Sequence, residues 1–338
     1  MNPFLADLPA DMQRTLEKKE QPDRIHPMLA TLSGQVFSDQ HWIFEQKFDG
    51  ERCITYRKGD RIRLSSRNGR ILNDTYPELV DAFREQTAVD FIVDGEVVAF
   101  EEGVPKFSAL QQRIGLFSPG EEVKRDIPVT YYLFDLLFLD GYDLMGIPLL
   151  ARKSLLRRLF SYGVTIRFSE HRQGEGQTCF RIACQKRLEG IIAKRSDSRY
   201  MQRRSSDWLK LKCTKRQEFV IGGYTEPKKR RTGFGAILVG YYHGNTLIFA
   251  GKVGTGFDEA ALRVLYAAFR SLEQAESPFM EITDQKGIHF IRPVLVADIG
   301  FTEWTGEGKL RHPRFLGIRS DKLPREVVRE EEDLHTST

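Results

Sequence analysis

The pattern of strands along the chain changes near residue 215, and this change limits the folds that the chain can adopt. Before it, apolar strands such as FIVDGEVVAF and VTYYLFDLLFLDG alternate with helices such as PLLARKSLLRRLFSYG. After it, short strands are separated by glycine-rich turns, with one leucine-rich helix among them. The sequence therefore predicts an α+β domain with antiparallel sheets over residues 1–215 and, over residues 216–338, a small β-barrel of the OB-fold type.

The composition and the N-terminal segment carry no sign of membrane insertion or export. At 338 residues, with 41% hydrophobic and 29% charged residues, the chain has material for two globular domains. No apolar run approaches bilayer length, and MNPFLADLPADMQRTLEKKE lacks the basic and apolar regions of an export signal. We therefore expect a cytoplasmic protein with no membrane partner.

The cysteines give no metal-binding pattern. Cys53, Cys179, Cys184 and Cys213 form no Cys-x-x-Cys pair and have no histidine at zinc-ligand spacing. We expect all of them to be reduced thiols in the core of a cytosolic protein.

The stretch FEQKFDGERC, residues 44–53, has the alternation of a strand and places Lys47 between acids, just before an Asp-Gly dipeptide. One interpretation is a solvated hairpin end, because Asp-Gly favours tight turns. The other interpretation is a nucleophilic lysine. The rest of the sequence has to decide between them.

A lysine attacks phosphorus only in its neutral form, which costs roughly 4.6 kcal/mol at pH 7 from its reference pKa. Nearby cations lower that cost, and they also neutralise a phosphate leaving group. Lys210 and Lys212 alternate in WLKLK, so their side chains share one face of a strand. Arg52 and Arg67 are further candidate cations.

Two glutamates stand beside a glycine at the edge of an apolar strand. They are Glu96 in VDGEVV and Glu189 in LEGIIAKR. Carboxylate oxygens suit Mg²⁺, which keeps several waters and binds substrate phosphates as well. These acids are therefore candidate metal ligands.

In order along the chain, KFDGER is followed by SSRNGR, VDGEVV, FDLLFLDG, EGIIAKR, WLKLK and RSDK. This ordered set resembles an ATP-dependent DNA ligase of the covalent nucleotidyltransferase superfamily, over roughly residues 26–322. HPMLATL before Lys47 and GKVGTGF in the barrel are similar to bacterial and archaeal ligases of the end-joining repair type. The resemblance implies a nucleotidyltransferase (adenylation) domain followed by the OB-fold domain.

The resemblance also implies roles for individual residues. Lys47 would form a phosphoramidate with AMP, Glu45 would contact the adenine edge, and Phe134 would stack on the adenine face. The other residues implied in the first domain are Arg52 and Arg67 for ribose and phosphate groups, including the 5′-phosphate of a nick, Glu96 and Glu189 for the ribose or a metal, and Lys210 and Lys212 for the α-phosphate. In the barrel, Arg319, Asp321 and Lys322 would act on the triphosphate.

The implied cofactors are ATP and Mg²⁺ (or Mn²⁺), and the implied partner is nicked double-stranded DNA. Only 46 residues precede Lys47, too few for the helical DNA-binding domain of large replicative ligases. Whether DNA is fully encircled is therefore left open by the sequence, and a Ku-like end-binding protein is a candidate partner. We expect a monomer associated with the nucleoid in the cytoplasm.

Other interpretations are open at this level. An RNA ligase or a GTP-using capping enzyme shares Lys-x-Asp-Gly, although FDLLFLDG and RSDK favour a DNA ligase over an RNA ligase. A catalytically inactive nucleic-acid-binding protein with an OB-fold would not need the lysine and the paired acids. The run Lys228, Lys229, Arg230 and Arg231 is equally compatible with a phosphate-backbone contact and a solvated loop.

Overall fold

In the computed structural model, residues 3–227, 233–280, 282 and 287–330 are described. Within them the chain forms two compact units, one ending at Cys213 and the other beginning at Thr214. The basic run at residues 228–231 lies outside the described residues, so its role stays open.

The first unit contains both α-helices and β-strands. Its helices are α1 (Pro3–Ala6), α2 (Ala10–Thr15), α3 (Pro77–Arg84), α4 (Phe107–Gln111), α5 (Glu121–Asp126), α6 (Leu149–Leu159) and α7 (Gly176–Gln185). Its strands are β1 (Glu17–Lys18), β2 (Leu29–Leu32), β3 (Trp42–Lys47), β4 (Glu51–Lys58), β5 (Arg61–Ser66), β6 (Asp90–Glu101), β7 (Val104–Pro105), β8 (Val129–Leu139), β9 (Tyr142–Asp143), β10 (Ile166–Phe168), β11 (His171–Gln173), β12 (Gly190–Arg195) and β13 (Arg204–Lys212).

These strands form two sheets. Sheet 1 has the order β1-β9-β8-β6-β4-β5, with β10 beside β8 and β7 beside β6, and sheet 2 has the order β11-β3-β12-β13-β2. Apart from β10 with β8 and β2 with β13, the pairings in these sheets are antiparallel. The predicted α+β class with antiparallel sheets is confirmed for this part of the chain.

Apolar side chains fill three layers of the first unit. The leucine face of α6 packs on sheet 1 together with the aromatic residues Phe83 and Phe91. The helix α7 covers sheet 2 through Ala183, against Phe44 and its neighbours. Between the sheets lies a further cluster that contains Ile54, Ile92, Phe134 and Trp208. Charged residues that line this inner layer are therefore held by packing from both sides.

The Asp49-Gly50 step is not a hairpin end. The strand β3 belongs to sheet 2 and β4 belongs to sheet 1, so the chain crosses between the sheets directly after Lys47. A Cβ at Gly50 would lie 2.2 Å from the carbonyl oxygen of Val97, so this crossing requires glycine. The interpretation as a solvated hairpin is wrong.

The expectation that all the cysteines are reduced thiols is also wrong. Cys184, at the end of α7, is disulfide-bonded to Cys213, just after β13, with their Cα atoms 5.2 Å apart. Packing of α7 on sheet 2 brings these residues together over a sequence separation of 29, which spacing along the chain does not reveal. Cys53 and Cys179 are free thiols.

Replacing Cys184 with serine should lower the free energy of unfolding by about 3 kcal/mol, because the disulfide restricts the unfolded chain. Urea denaturation with and without dithiothreitol measures this difference, and the reductant should lower the stability of the unsubstituted protein but not that of Cys184→Ser. Cys179→Ser, on the same helix, is the matched control and should change little. Equal stability of the unsubstituted protein with and without dithiothreitol would contradict the prediction.

The second unit has the architecture predicted for the C-terminal part. Its elements are β14 (Arg216–Thr225), β15 (Ile237–His243), β16 (Thr246–Val253), α8 (Glu259–Leu272), β17 (Glu273–Gln274), β18 (Ile288–Gly300), β19 (Glu303–Trp304), β20 (Leu310–Arg311), β21 (Arg314–Ile318) and a 3₁₀ turn at Pro324–Glu326. The order β16-β15-β14-β18-β17, with β21 beside β18, is a curled antiparallel sheet, and α8 packs into its core through Leu265 and Phe269. The side chain of Asp258 caps α8 by accepting from the amide of Ala261 at 2.7 Å. This is an OB-fold-type domain.

Among the helices that the structure describes, none has the length and apolar character to cross a membrane.

Candidate active site

The register of sheet 2 brings the predicted lysines into rows. Lys47 on β3 is opposite Gly190 on β12, and Gly190 is opposite Lys212 on β13. In the neighbouring row, Glu45 is opposite Ile192, which is opposite Lys210. Directly opposed residues of antiparallel strands point to the same face, as do residues two apart on one strand. Glu45, Lys47, Lys210 and Lys212 therefore share one face.

Lys47 forms an ion pair with Glu189, the residue that precedes β12. The distance from Nζ to Oε2 is 2.5 Å, and the Glu189 side chain is only 5% exposed. The amide of Cys213 donates to the carbonyl oxygen of Glu189 at 2.9 Å, which fixes the backbone of this glutamate. Gly190 has a φ of +150°, and a Cβ there would lie 2.0 Å from the carbonyl oxygen of Leu211. Only glycine lets β12 begin directly after Glu189.

Sheet 1 contributes a second set of charged side chains. Arg52 on β4 is opposite Glu96 on β6. Asp94 holds the Arg52 guanidinium through two contacts of 2.6 Å, and the Tyr200 hydroxyl donates to Asp94 at 2.6 Å. Burial lowers the pKa of Arg52, but the attraction of Asp94 outweighs it and raises the pKa above the ordinary value. Arg52 is thus a permanently charged, fixed cation.

Phe134 lies in the core between the sheets and is 8% exposed. The guanidinium carbon of Arg52 is 4.7 Å from its ring centroid, and Lys194 Nζ is 4.2 Å from it. Trp208 packs edge-on against the same ring. Stacking of adenine on Phe134 stays a prediction.

Glu45 is buried and contacts two lysines that the sequence analysis gave no role. Its carboxylate is 2.7 Å from Lys153 Nζ and 2.8 Å from Lys194 Nζ, and it accepts from the Ser169 hydroxyl at 3.2 Å. One signal for Lys153 exists in the sequence, because it stands four residues after Leu149 on the apolar side of α6. The second lysine, Lys194 on β12, carries no such signal.

Arg70 of the motif SSRNGR contacts the buried carboxylate of Glu51 in KFDGER. Arg70 donates to the Glu51 carboxylate at 2.7 Å, and the Tyr76 hydroxyl donates to its other oxygen at 2.7 Å. Arg67, in the turn after β5, is partly exposed. Its predicted contact with phosphate groups stays a prediction.

The predicted residues of the second unit form their own charged cluster. Arg319 and Asp321 make a bidentate pair, with both contacts at 2.8 Å, and both residues are buried. Lys322 Nζ is 3.4 Å from the Glu218 carboxylate. Burial opposes ionisation of Asp321, but Arg319 outweighs it and lowers the pKa of this acid. In this structure, Asp321 therefore orients Arg319.

Within the described parts of the chain, no three His, Cys, Asp or Glu side chains come together as a metal site. A single carboxylate still fits Mg²⁺, which binds proteins through one or two carboxylates and otherwise through water and substrate phosphates. Glu189 and Glu96 are compatible with such a site.

Comparison with known proteins gives matches over both units of the chain. The model of the ATP dependent DNA ligase domain matches residues 12–212, and that of the ATP dependent DNA ligase C terminal region matches residues 230–322. The solved structure of mycobacterial DNA ligase D complexed with ATP and MES is 38% identical, with a TM-score of 0.66, and the match covers 92% of this chain and 100% of that chain.

Two curated relatives differ in how much of their length is matched. The multifunctional non-homologous end joining protein LigD of Mycobacterium bovis is 39% identical over 91% of this chain, and the match spans only 40% of that protein. The SPbeta prophage-derived DNA ligase-like protein LigB of Bacillus subtilis is 31% identical over 87% of this chain and 99% of its own length. With a nucleotidyltransferase domain followed by an OB-fold-type domain, the chain belongs to the ATP-dependent DNA ligase family.

Proposed function

We propose that this chain is an ATP-dependent DNA ligase that seals nicks in duplex DNA through a lysyl-AMP intermediate and a DNA-adenylate. One observation carries the proposal. Lys47, in the ion pair with Glu189, lies in the same strand row as Lys212, on a face that Lys210 shares. A nucleophile, a proton acceptor and cations for a phosphate are thus placed together.

In the first step, Lys47 Nζ attacks the α-phosphorus of ATP. A P–N bond forms, the bond from the α-phosphorus to the bridging oxygen breaks, and pyrophosphate leaves with the electron pair. Lys47 first passes one proton to Glu189, whose Oε2 already contacts it, and thereby becomes a neutral amine. The second proton, lost as the P–N bond forms, leaves with the pyrophosphate. Lys210 and Lys212 counter the charge that develops on the α-phosphate.

The second and third steps transfer AMP and then release it. The 5′-phosphate of the nick attacks the adenylate phosphorus, and Lys47 leaves as an amine that regains its proton. The 3′-hydroxyl then attacks the activated 5′-phosphate, a phosphodiester forms, and AMP leaves. A bound Mg²⁺ or Mn²⁺ at Glu189 and Glu96 would neutralise phosphate charge.

The proposed setting is end-joining repair in the cytoplasm, at the nucleoid. The support is that the LigD relatives carry non-homologous end joining in their names, although the chain spans about two fifths of their length. Nicked double-stranded DNA is the proposed substrate. A Ku-like end-binding protein is the proposed partner for engaging DNA ends.

The proposal is tested by incubating the protein with ATP, Mg²⁺ and a duplex that carries one 5′-phosphorylated nick. We expect a sealed strand together with a transient adenylated 5′ end, both resolved on a denaturing gel. A nick without its 5′-phosphate is the control and should remain open. An absence of sealing with ATP and either metal would contradict the proposal.

A further inference from the structure

In the first unit, a buried acid lies between two buried cations. The Glu45 oxygens face different lysines, with Oε1 2.7 Å from Lys153 and Oε2 2.8 Å from Lys194. All three side chains are at most 2% exposed. The cluster therefore carries a net positive charge in the protein interior, which is costly. One lysine is enough to neutralise Glu45, so the presence of two lysines points to a role beyond packing.

The cluster lies beside the proposed path of the nucleotide. Glu45 is two residues before Lys47 on the same face of β3, a spacing of roughly 7 Å along the strand. Lys194 Nζ is 4.2 Å from the ring centroids of both Phe134 and Trp208. With an α-phosphate at Lys47, the predicted contact of Glu45 with the adenine edge would place the base at this end of the strand.

The protonation of Glu45 decides which purine edge it can bind. An ionised carboxylate only accepts hydrogen bonds, whereas a protonated one also donates. The 6-amino group of adenine donates, and the 6-oxo group of guanine or hypoxanthine accepts. Burial raises the pKa of Glu45 and would favour the donating form, but the attraction of Lys153 and Lys194 outweighs burial and lowers this pKa.

We propose that Lys153 and Lys194 are positioning residues for base selection: by clamping both oxygens of Glu45 they keep it an acceptor, and the site therefore takes a 6-amino purine and rejects a 6-oxo purine. The inference rests on the proposed function. It adds the residues that set the base preference. These are Lys153 on α6 and Lys194 on β12, which both contact Glu45 on β3.

The test measures the rate of nucleotidyl transfer to the full chain from three triphosphates. ATP presents an amino group at position 6, purine riboside triphosphate presents hydrogen, and ITP presents an oxo group. For the unsubstituted protein we expect the order ATP, purine riboside triphosphate, ITP, with ATP at least about 100-fold faster than ITP.

Lys153→Met and Lys194→Met should each reduce the ratio of ATP to ITP rates by about tenfold, because one oxygen of Glu45 becomes free to hold a proton. Each single variant leaves one acid with one lysine, a neutral buried pair, so folding should survive. Thermal unfolding checks this. Glu45→Gln, whose amide donates to an oxo group, should shift the ratio in the same direction.

Arg157→Met is the matched control, because Arg157 lies on α6 but is exposed and pairs with Glu170. Its ratio should match that of the unsubstituted protein. An unchanged ratio in both lysine variants, or equal rates with ATP and ITP in the unsubstituted protein, would overturn the inference and leave the ligase proposal intact. Failure of every triphosphate to label the unsubstituted protein would instead contradict the proposed function.

Discussion

Replacing Lys47 with alanine should lower the transfer of AMP from ATP to the protein by at least about 10³-fold, while nicks that already carry AMP are still sealed. In the proposed mechanism, the lysine is the nucleophile of the first step only. Once AMP is on the 5′-phosphate, the remaining bond forms between two DNA ends. Single-turnover rates on nicked and on pre-adenylated duplexes measure the two reactions separately.

The control for Lys47→Ala is Lys58→Ala, which removes an exposed lysine at the end of β4. It should affect neither reaction. Loss of both reactions in Lys47→Ala, with the fold intact, would show that Lys47 binds DNA or phosphate and is not the nucleophile of the first step alone.

Replacing Lys322 with alanine should slow adenylation by about 100-fold and leave the sealing of pre-adenylated nicks largely unchanged. Pyrophosphate leaves only in the first step, and its charge needs cations that RSDK in the second unit would supply. Asp321→Ala should act in the same way, because Asp321 holds Arg319 through two contacts of 2.8 Å.

Lys252→Ala, an exposed lysine on β16, is the control for the second unit and should change neither reaction. Equal loss of both reactions in Lys322→Ala would mean that the second unit acts as a DNA clamp. Unchanged adenylation in Lys322→Ala would mean that RSDK is a polar turn with no part in the first step.

The local pattern of the sequence predicted the strands that hold the site. Alternation placed Lys210 and Lys212 on one face, and β13 has them there, in rows with Glu45 and Lys47. Short apolar strands and glycine-rich turns likewise predicted the OB-fold-type domain. The periodicity of apolar residues is enough to predict a helix or strand where that element buries one face against a neighbour.

Features set by long-range packing could not be predicted. An Asp-Gly step has the same local preference in a hairpin and in a crossing between sheets, and the two are distinguished by the pairing of β3 and β4 in different sheets. The Cys184–Cys213 bond depends on how α7 packs. The contacts of Glu45 with Lys153 and Lys194 join residues that are 108 and 149 positions apart, so no motif contains them.

Peptide mapping of the AMP adduct tests the central claim most directly. The protein is incubated with ATP and Mg²⁺, digested under mildly alkaline conditions that preserve phosphoramidates, and the modified residue is located by tandem mass spectrometry. Lys194 is the rival site, because burial and Lys153 lower its pKa to about 8 and so increase its neutral form. We predict one AMP per chain, on Lys47. An adduct on Lys194, or no adduct with either Mg²⁺ or Mn²⁺, would contradict the account.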